Sequence, residues 1–136
     1  MLEKLKQLAQ EKFLQNLSFI PAQSRDGVRE VMNITDDMLV SYKPLPVLET
    51  GSPNKYFDGL AAGKLMIVNV QGWMKKEVER NACGFYVNDP QDLLRKITPF
   101  ISEADKLIFF QRASRRLAEE NYSRQKLSEK FLKLFE

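Results

Sequence analysis

The run Glu49-Thr50-Gly51-Ser52-Pro53-Asn54-Lys55-Tyr56-Phe57-Asp58-Gly59-Leu60-Ala61-Ala62-Gly63-Lys64, continuing into Leu65-Met66-Ile67-Val68-Asn69-Val70, decides how this chain folds. Lys64–Val70 is a near-continuous apolar stretch. A strand this apolar needs cover on both faces, as an interior strand of a parallel sheet has. The residues before it predict a short helix over roughly 53–62. Ser52 falls at the N-cap place and Pro53 at the first helical position, where no N–H is needed. Gly63 falls where such a helix stops. Glu49 and Asp58 bracket the helix start. That start offers unbonded N–H groups and the positive end of the peptide dipoles, which suits a phosphate.

Outward from this stretch, strands and helices alternate. Leu2, Leu5, Leu8, Ala9 and Phe13 fall at helical spacing over 2–15. Leu17-Ser18-Phe19-Ile20 reads as a short strand ended by Pro21. Ser24 caps a helix to Ile34, with Val28, Val31 and Met32 on its apolar face, and Met38–Tyr42 is a second strand. After the 64–70 strand, Gly72 opens a helix to about Arg80 with Trp73, Met74 and Val78 apolar. Gly84–Val87 is a fourth strand. Asp89-Pro90 starts a helix with Leu93, Leu94 and Ile97 inward. Ser102 is expected to cap a longer helix to about Tyr122, and Ser123 the last one. The rhythm predicts an α/β fold: a Rossmann-like parallel sheet of about four strands flanked by helices. Ligands of such sheets bind beyond the carboxyl ends of the strands. Here that edge carries the loops 43–52, 71–73 and 88–89.

The chain has 136 residues, 43% of them hydrophobic, which suits one domain, 1–136, with a packed core. No apolar run approaches the ~18 residues of a membrane span, and the first residues lack a signal-peptide core. The expectation is a cytoplasmic protein. The net charge of +3 is too mild to point to nucleic acid. With no histidine, Ser/His and Cys/His nucleophilic pairs and the usual zinc sites are excluded. The single cysteine, Cys83, beside a predicted buried strand, reads as a core thiol. A phosphoacceptor receiver domain shares the α/β rhythm but needs an aspartate at a strand end, where this chain has Val40-Ser41-Tyr42.

The ordered set Ser52–Lys64, an apolar strand, Gly72-Trp73, Cys83–Val87, Asp89-Pro90 and Tyr122-Ser123-Arg124 resembles the donor-binding half of retaining GT-B glycosyltransferases of family 4 (glycosyltransferase group 1). The resemblance covers nearly the whole chain. It implies a nucleotide-sugar donor, expected to be a UDP-sugar, with no metal, in surface polysaccharide biosynthesis. It implies that Glu49, the catalytic candidate, faces the donor sugar. Gly51, Ser52, Pro53 and Asn54 would lie at the diphosphate, although Pro53 offers no N–H. Asp58 would hold the ribose hydroxyls, and Lys55, Gly72 and Trp73 complete the donor-binding set. Eight residues separate the two acids where the family has seven, and the second acid is aspartate. The family's first two β-α units, with their basic pair, and its N-terminal acceptor domain have no counterpart here. The chain is therefore expected to be a truncated donor domain, inactive alone, with open sheet edges that favour a homodimer.

Each feature has a plainer alternative. Glu49 and Asp58 read equally as a solvated loop acid and an ordinary helix acid. Lys55 sits near the positive end of the helix, so it needs a partner, either phosphate or one of those acids. Trp73 is a core indole or a pocket wall. Arg112, Arg115, Arg116, Arg124, Lys126, Lys130 and Lys133 form a basic C-terminal region. It is either a solvated face or a surface for peripheral attachment to the inner face of a membrane.

Overall fold

The central strand is β2 (Leu65–Val68), and all four of its residues are buried. It lies between β1 (Asp37–Val40) and β3 (Gly84–Tyr86) and runs parallel to both. Met38 stands opposite Met66 and Val40 opposite Val68; Ile67 stands opposite Phe85. The computed structural model describes residues 1–135. These fall into two compact units, Met1–Val31 and residues 32–135.

The second unit is an open α/β sheet. Alternation along β2 sends Met66 and Val68 to one face and Leu65 and Ile67 to the other. On the first face the core gathers Tyr56 and Leu60 of α3 (Asn54–Ala61) and Met74 and Val78 of α4 (Trp73–Arg80). Ala113, Leu117 and Ala118 of α6 (Ala104–Asn121) complete it. On the second face Phe85 stacks on Phe100 of α5 (Pro90–Ser102), with centroids 5.5 Å apart, and Phe100 meets Phe110 edge-on at 4.9 Å. Between the two groups, Ser114 of α6 donates its buried hydroxyl to the carbonyls of Lys64 (2.6 Å) and Cys83 (3.2 Å). Those carbonyls immediately precede β2 and β3, so Ser114 fastens α6 to the amino-terminal edge of the sheet. Cover thins towards β1, where Leu39 remains 45% exposed.

The first unit holds α1 (Leu2–Glu11), an irregular stretch and most of α2 (Arg25–Asn33), whose end crosses into the second unit. Ser24 accepts a hydrogen bond from the Gly27 N–H at 3.2 Å, as its capping place predicts. The strand expected at 17–20 does not form, so the sheet has three strands among the described residues, not four. A four-residue stretch with three apolar side chains, ended by a proline, makes a strand only beside a partner backbone. Leu17, Phe19 and Ile20 have none and remain exposed.

Three local expectations also change. The helix after the proline-rich loop starts at Asn54 with Pro53 as its N-cap, and no side chain caps it; Ser52 lies one residue outside. Ser102 closes α5 rather than capping α6, because its hydroxyl turns back to the carbonyls of Thr98 and Pro99. Leu94 points to solvent, since Leu93 and Ile97 define the half-buried side of α5. Gly63 does end α3. At φ +64° its N–H bonds the Leu60 carbonyl and the Lys64 N–H bonds the Gly59 carbonyl, a Schellman closure.

Two predictions follow from this packing. Burial pushes the Cys83 thiol up to about 12. At pH 8 only about one molecule in ten thousand then carries the reactive thiolate. A thiol-reactive chromogenic disulfide should label native protein very slowly and urea-unfolded protein completely; equal rates would contradict a buried thiol. At the start of α5, Asp89 accepts from the Asp92 N–H at 2.8 Å, and Asp92 accepts from the Asn88 N–H at 3.1 Å. Lys96, first, and Arg95 hold the Asp92 carboxyl down to about 2 from 3.8. A depressed acid stabilises the fold above its unfolded value and loses that contribution as pH falls through the folded one. The urea midpoint of Asp92→Asn should therefore lie below wild type at pH 7 and converge on it near pH 2.

Candidate functional site

The carboxyl ends of the three strands carry a cleft of about 130 Å³. It is lined by Pro44, Leu45, Pro46 and Glu49 after β1, by Asn69, Val70 and Gln71 after β2, and by Tyr86 at the end of β3. Its walls follow from local chemistry. Beyond Val40 the β1 and β2 backbones part, and Asn69 takes over the pairing with its side chain. Its Oδ1 accepts from the Tyr42 N–H at 2.8 Å and its Nδ2 donates to the Tyr42 carbonyl at 2.9 Å. A side-chain amide thus extends the ladder past the last strand residue.

From that clamp the chain turns about Pro44, with Leu45 N–H bonded to the Lys43 carbonyl at 2.8 Å. It then enters a 3₁₀ turn, Pro46–Thr50, with proline first and Glu49 half-buried within it. Gly72, the N-cap of α4, abuts this turn at φ +89°, a conformation that side chains resist. A Cβ on Gly72 would lie 2.7 Å from the Glu49 carbonyl oxygen and 3.2 Å from the Glu49 Cβ. Next to it, Trp73 donates its indole N–H to the Gly51 carbonyl at 3.0 Å. The indole also meets Tyr56 edge-on at 5.1 Å and stacks on Phe57 at 6.2 Å.

The structure therefore draws Glu49, Gly51, Gly72 and Trp73 into one knot beside the cleft. Of the nine residues singled out in the sequence, only Glu49 lines the cleft. Ser52, Asn54, Lys55 and Asp58 are exposed around the start of α3, and Pro53 is half-exposed. Lys55 pairs with neither acid among the described residues. Its ammonium points towards the Ser41 carbonyl at 3.5 Å and lies 5.0 Å from the centre of the Tyr42 ring. Asp58 sits in the second turn of α3 on its exposed side. The N–H groups of Asn54 and Lys55 fall in the first helical turn, where the helix supplies no carbonyl partner.

Several contributors were not visible in the sequence. Asn69 and Tyr86 line the cleft, and Tyr86 carries two cations over its ring: Lys75 at 4.6 Å and Lys96 at 5.9 Å from its centre. Lys96 also donates to the Tyr86 carbonyl at 2.7 Å. Behind the knot, Glu77 accepts the hydroxyls of Tyr56 (2.7 Å) and Tyr122 (2.6 Å), one on each carboxylate oxygen. Burial, then the bond to Glu77, raises both phenols well above their ordinary value. This bridge joins α3, α4 and the end of α6, and leaves the Glu77 carboxylate structural rather than available for chemistry. Only an i, i+3 or i, i+4 pattern of polar residues within one helix is readable from sequence; Tyr56, Glu77 and Tyr122 belong to three elements.

Among the described residues no group of three or more acidic, cysteine or histidine side chains could hold a metal. No helix there is long and apolar enough to cross a membrane. Comparison with protein-family models, curated proteins and solved structures returned no match.

The contact of Gly72 with the Glu49 backbone yields a prediction. Gly72→Ala forces a Cβ against a carbonyl at a positive φ, which costs about 1–3 kcal/mol. The melting temperature should fall by several degrees. The near-ultraviolet circular dichroism of Trp73 should change while the far-ultraviolet helical signal is retained. An unchanged melting temperature would show that the two loops separate freely.

Proposed function

We propose that this chain is the nucleotide-sugar donor-binding part of a retaining glycosyltransferase of the GT-B type, a domain that needs an acceptor-binding partner domain to turn over. The observation that supports this reading is the position of Glu49. It lines a cleft at the carboxyl edge of a parallel sheet, where such sheets take ligands, and its backbone is fixed by Gly72. Glu49 would accept the hydroxyls of the donor sugar, and Asp58 those of the nucleotide ribose, since a carboxylate can take two hydroxyl hydrogen bonds. The diphosphate would lie at the first turn of α3, against the N–H groups of Asn54 and Lys55, with Gly51 and Ser52 close by.

Two lysines at this edge, Lys55 over Tyr42 and Lys75 over Tyr86, enter no ion pair among the described residues. They would supply positive charge to the leaving nucleoside diphosphate, in the manner of electrostatic stabilisation of developing charge. In this reading the departing group needs no metal and is expected to be UDP.

A second reading, a self-associating α/β module without catalysis, draws on the sheet itself. Among the described residues β1 and β3 each have one unpaired side, and Leu39 is exposed on β1.

Isothermal titration with UDP, GDP and the matching nucleotide sugars tests the first reading. Saturable binding below millimolar is expected. Asp58→Asn should weaken both nucleotide and nucleotide sugar about tenfold, the loss of a charged acceptor. Glu49→Gln should leave the nucleotide affinity alone and weaken only the nucleotide sugar. No heat at millimolar ligand with folded protein would remove the donor reading, and light scattering that shows a stable dimer would then favour the second.

A further inference from the structure

We propose that α7 (Arg124–Leu132) with the turn after it is a docking surface for an anionic lipid bilayer, lying flat in the headgroup region. This inference is independent of the donor-site reading.

Ser123 starts the helix by accepting from the Lys126 N–H at 3.4 Å. After Leu132 the chain tightens but does not unwind. Leu134 N–H bonds the Phe131 carbonyl at 3.1 Å and Phe135 N–H bonds the Leu132 carbonyl at 3.0 Å. Successive turns thus keep the chain coiled as far as Phe135. Leu127, Phe131, Leu134 and Phe135 are offset by four, seven and eight residues, so they fall on one face. Phe131 and Phe135 meet edge-on at 5.1 Å. None of the residues of α7 is buried, and this row is exposed from 46% at Leu127 to 78% at Leu134; Leu132 adds 61% beside it. One phenylalanine and two leucines on a nine-residue helix with no buried residue, followed at once by exposed Leu134 and Phe135, are more apolar surface than a solvated helix needs.

Charge says what covers it. Lys126, Lys130 and Lys133 repeat the same four- and seven-residue offsets one position earlier, so a cationic rail runs along the flank of the apolar row. None of the three, nor Arg124, enters an ion pair among the described residues. The one acid of α7 on the polar side, Glu129, accepts instead from the Gln125 amide at 3.1 Å. Lysine stems lie along apolar surface while their ammonium groups reach outward. An apolar face flanked by cations at this spacing matches a plane of acyl chains below a plane of phosphates. A helix this short cannot cross the ~30 Å hydrocarbon core, so it lies in the interface.

The test uses the full chain and sedimentation with vesicles of phosphatidylcholine, alone or mixed with phosphatidylglycerol. Binding should appear with the anionic vesicles, fall as salt is added and be weak on phosphatidylcholine alone. Lys126→Glu/Lys130→Glu/Lys133→Glu should reduce partitioning on the order of a hundredfold, about one strong electrostatic contact per lysine. Phe131→Ser/Phe135→Ser should abolish it at any lipid composition. Both variants alter residues that are not buried, so their thermal unfolding should match wild type. Equal partitioning of wild type and variants, or no partitioning on anionic vesicles, overturns the proposal. So does a lipid-free dimer that Phe131→Ser/Phe135→Ser dissolves, since a second copy would then be the occupant.

Discussion

Everything in the second unit depends on keeping water from the four side chains of β2. Leu65, Met66, Ile67 and Val68 are each buried, which is worth roughly 1.5–3 kcal/mol per side chain. Because alternate residues face opposite ways, no single layer can bury all four. Cover must come from two sides, and the chain supplies it with α3, α4 and the second half of α6 on one face and the Phe85–Phe100–Phe110 stack on the other. Parallel pairing goes with this cover, since β2 and β3 are each reached by a crossover, and those crossovers, α3 and α4, cover the first face. The loops that leave the carboxyl ends of the strands are what remains for binding. The cleft beside Glu49 is thus a consequence of burying β2.

Polar groups fasten this arrangement where apolar contact cannot. Ser114 pins the amino-terminal edge through two backbone carbonyls. Asn69 pins the opposite edge through both backbone groups of Tyr42. Glu77 holds two tyrosines behind the site, and no buried side-chain polar atom among the described residues lacks a partner. A buried polar group left unpaired costs about 1–3 kcal/mol, so each of these contacts fixes position more firmly than its net energy suggests. In the Ser114 and Asn69 contacts the fixed groups are backbone at the sheet edges.

Much of this fold was legible because it is written in local pattern. The apolar run before Val70, the glycine at 63 and the Asp89-Pro90 pair each state their role within a few residues, and β2, the end of α3 and the start of α5 lie where they predict. No strand forms at 17–20 because apolar composition is necessary for a strand and a neighbouring backbone is what makes one. Ser52 and Ser102 do not cap for a related reason: a serine can cap only if the chain turns at that residue, and Pro53 and the Thr98–Pro99 carbonyls decide the turn. At the candidate site, Glu49 was legible from its place just before a short helix at the carboxyl edge of the expected parallel sheet. Asn69, Tyr86 and Lys75 were not, since each acts on residues 10 to 30 positions away or across a strand. Tyr42 and Asn69 are 27 residues apart, and no spacing rule joins them.

The indole of Trp73 is the sole tryptophan of the chain, and its N–H is tied to the Gly51 carbonyl in the loop that carries Glu49. Its ring stacks on Phe57 and meets Tyr56 edge-on, both in the first turn of α3. Any displacement of that loop changes the hydrogen bond and polarity felt by a single emitter, with no second tryptophan to dilute the signal. The molecule therefore contains an intrinsic fluorescent gauge of the loop beside its cleft, readable without a label.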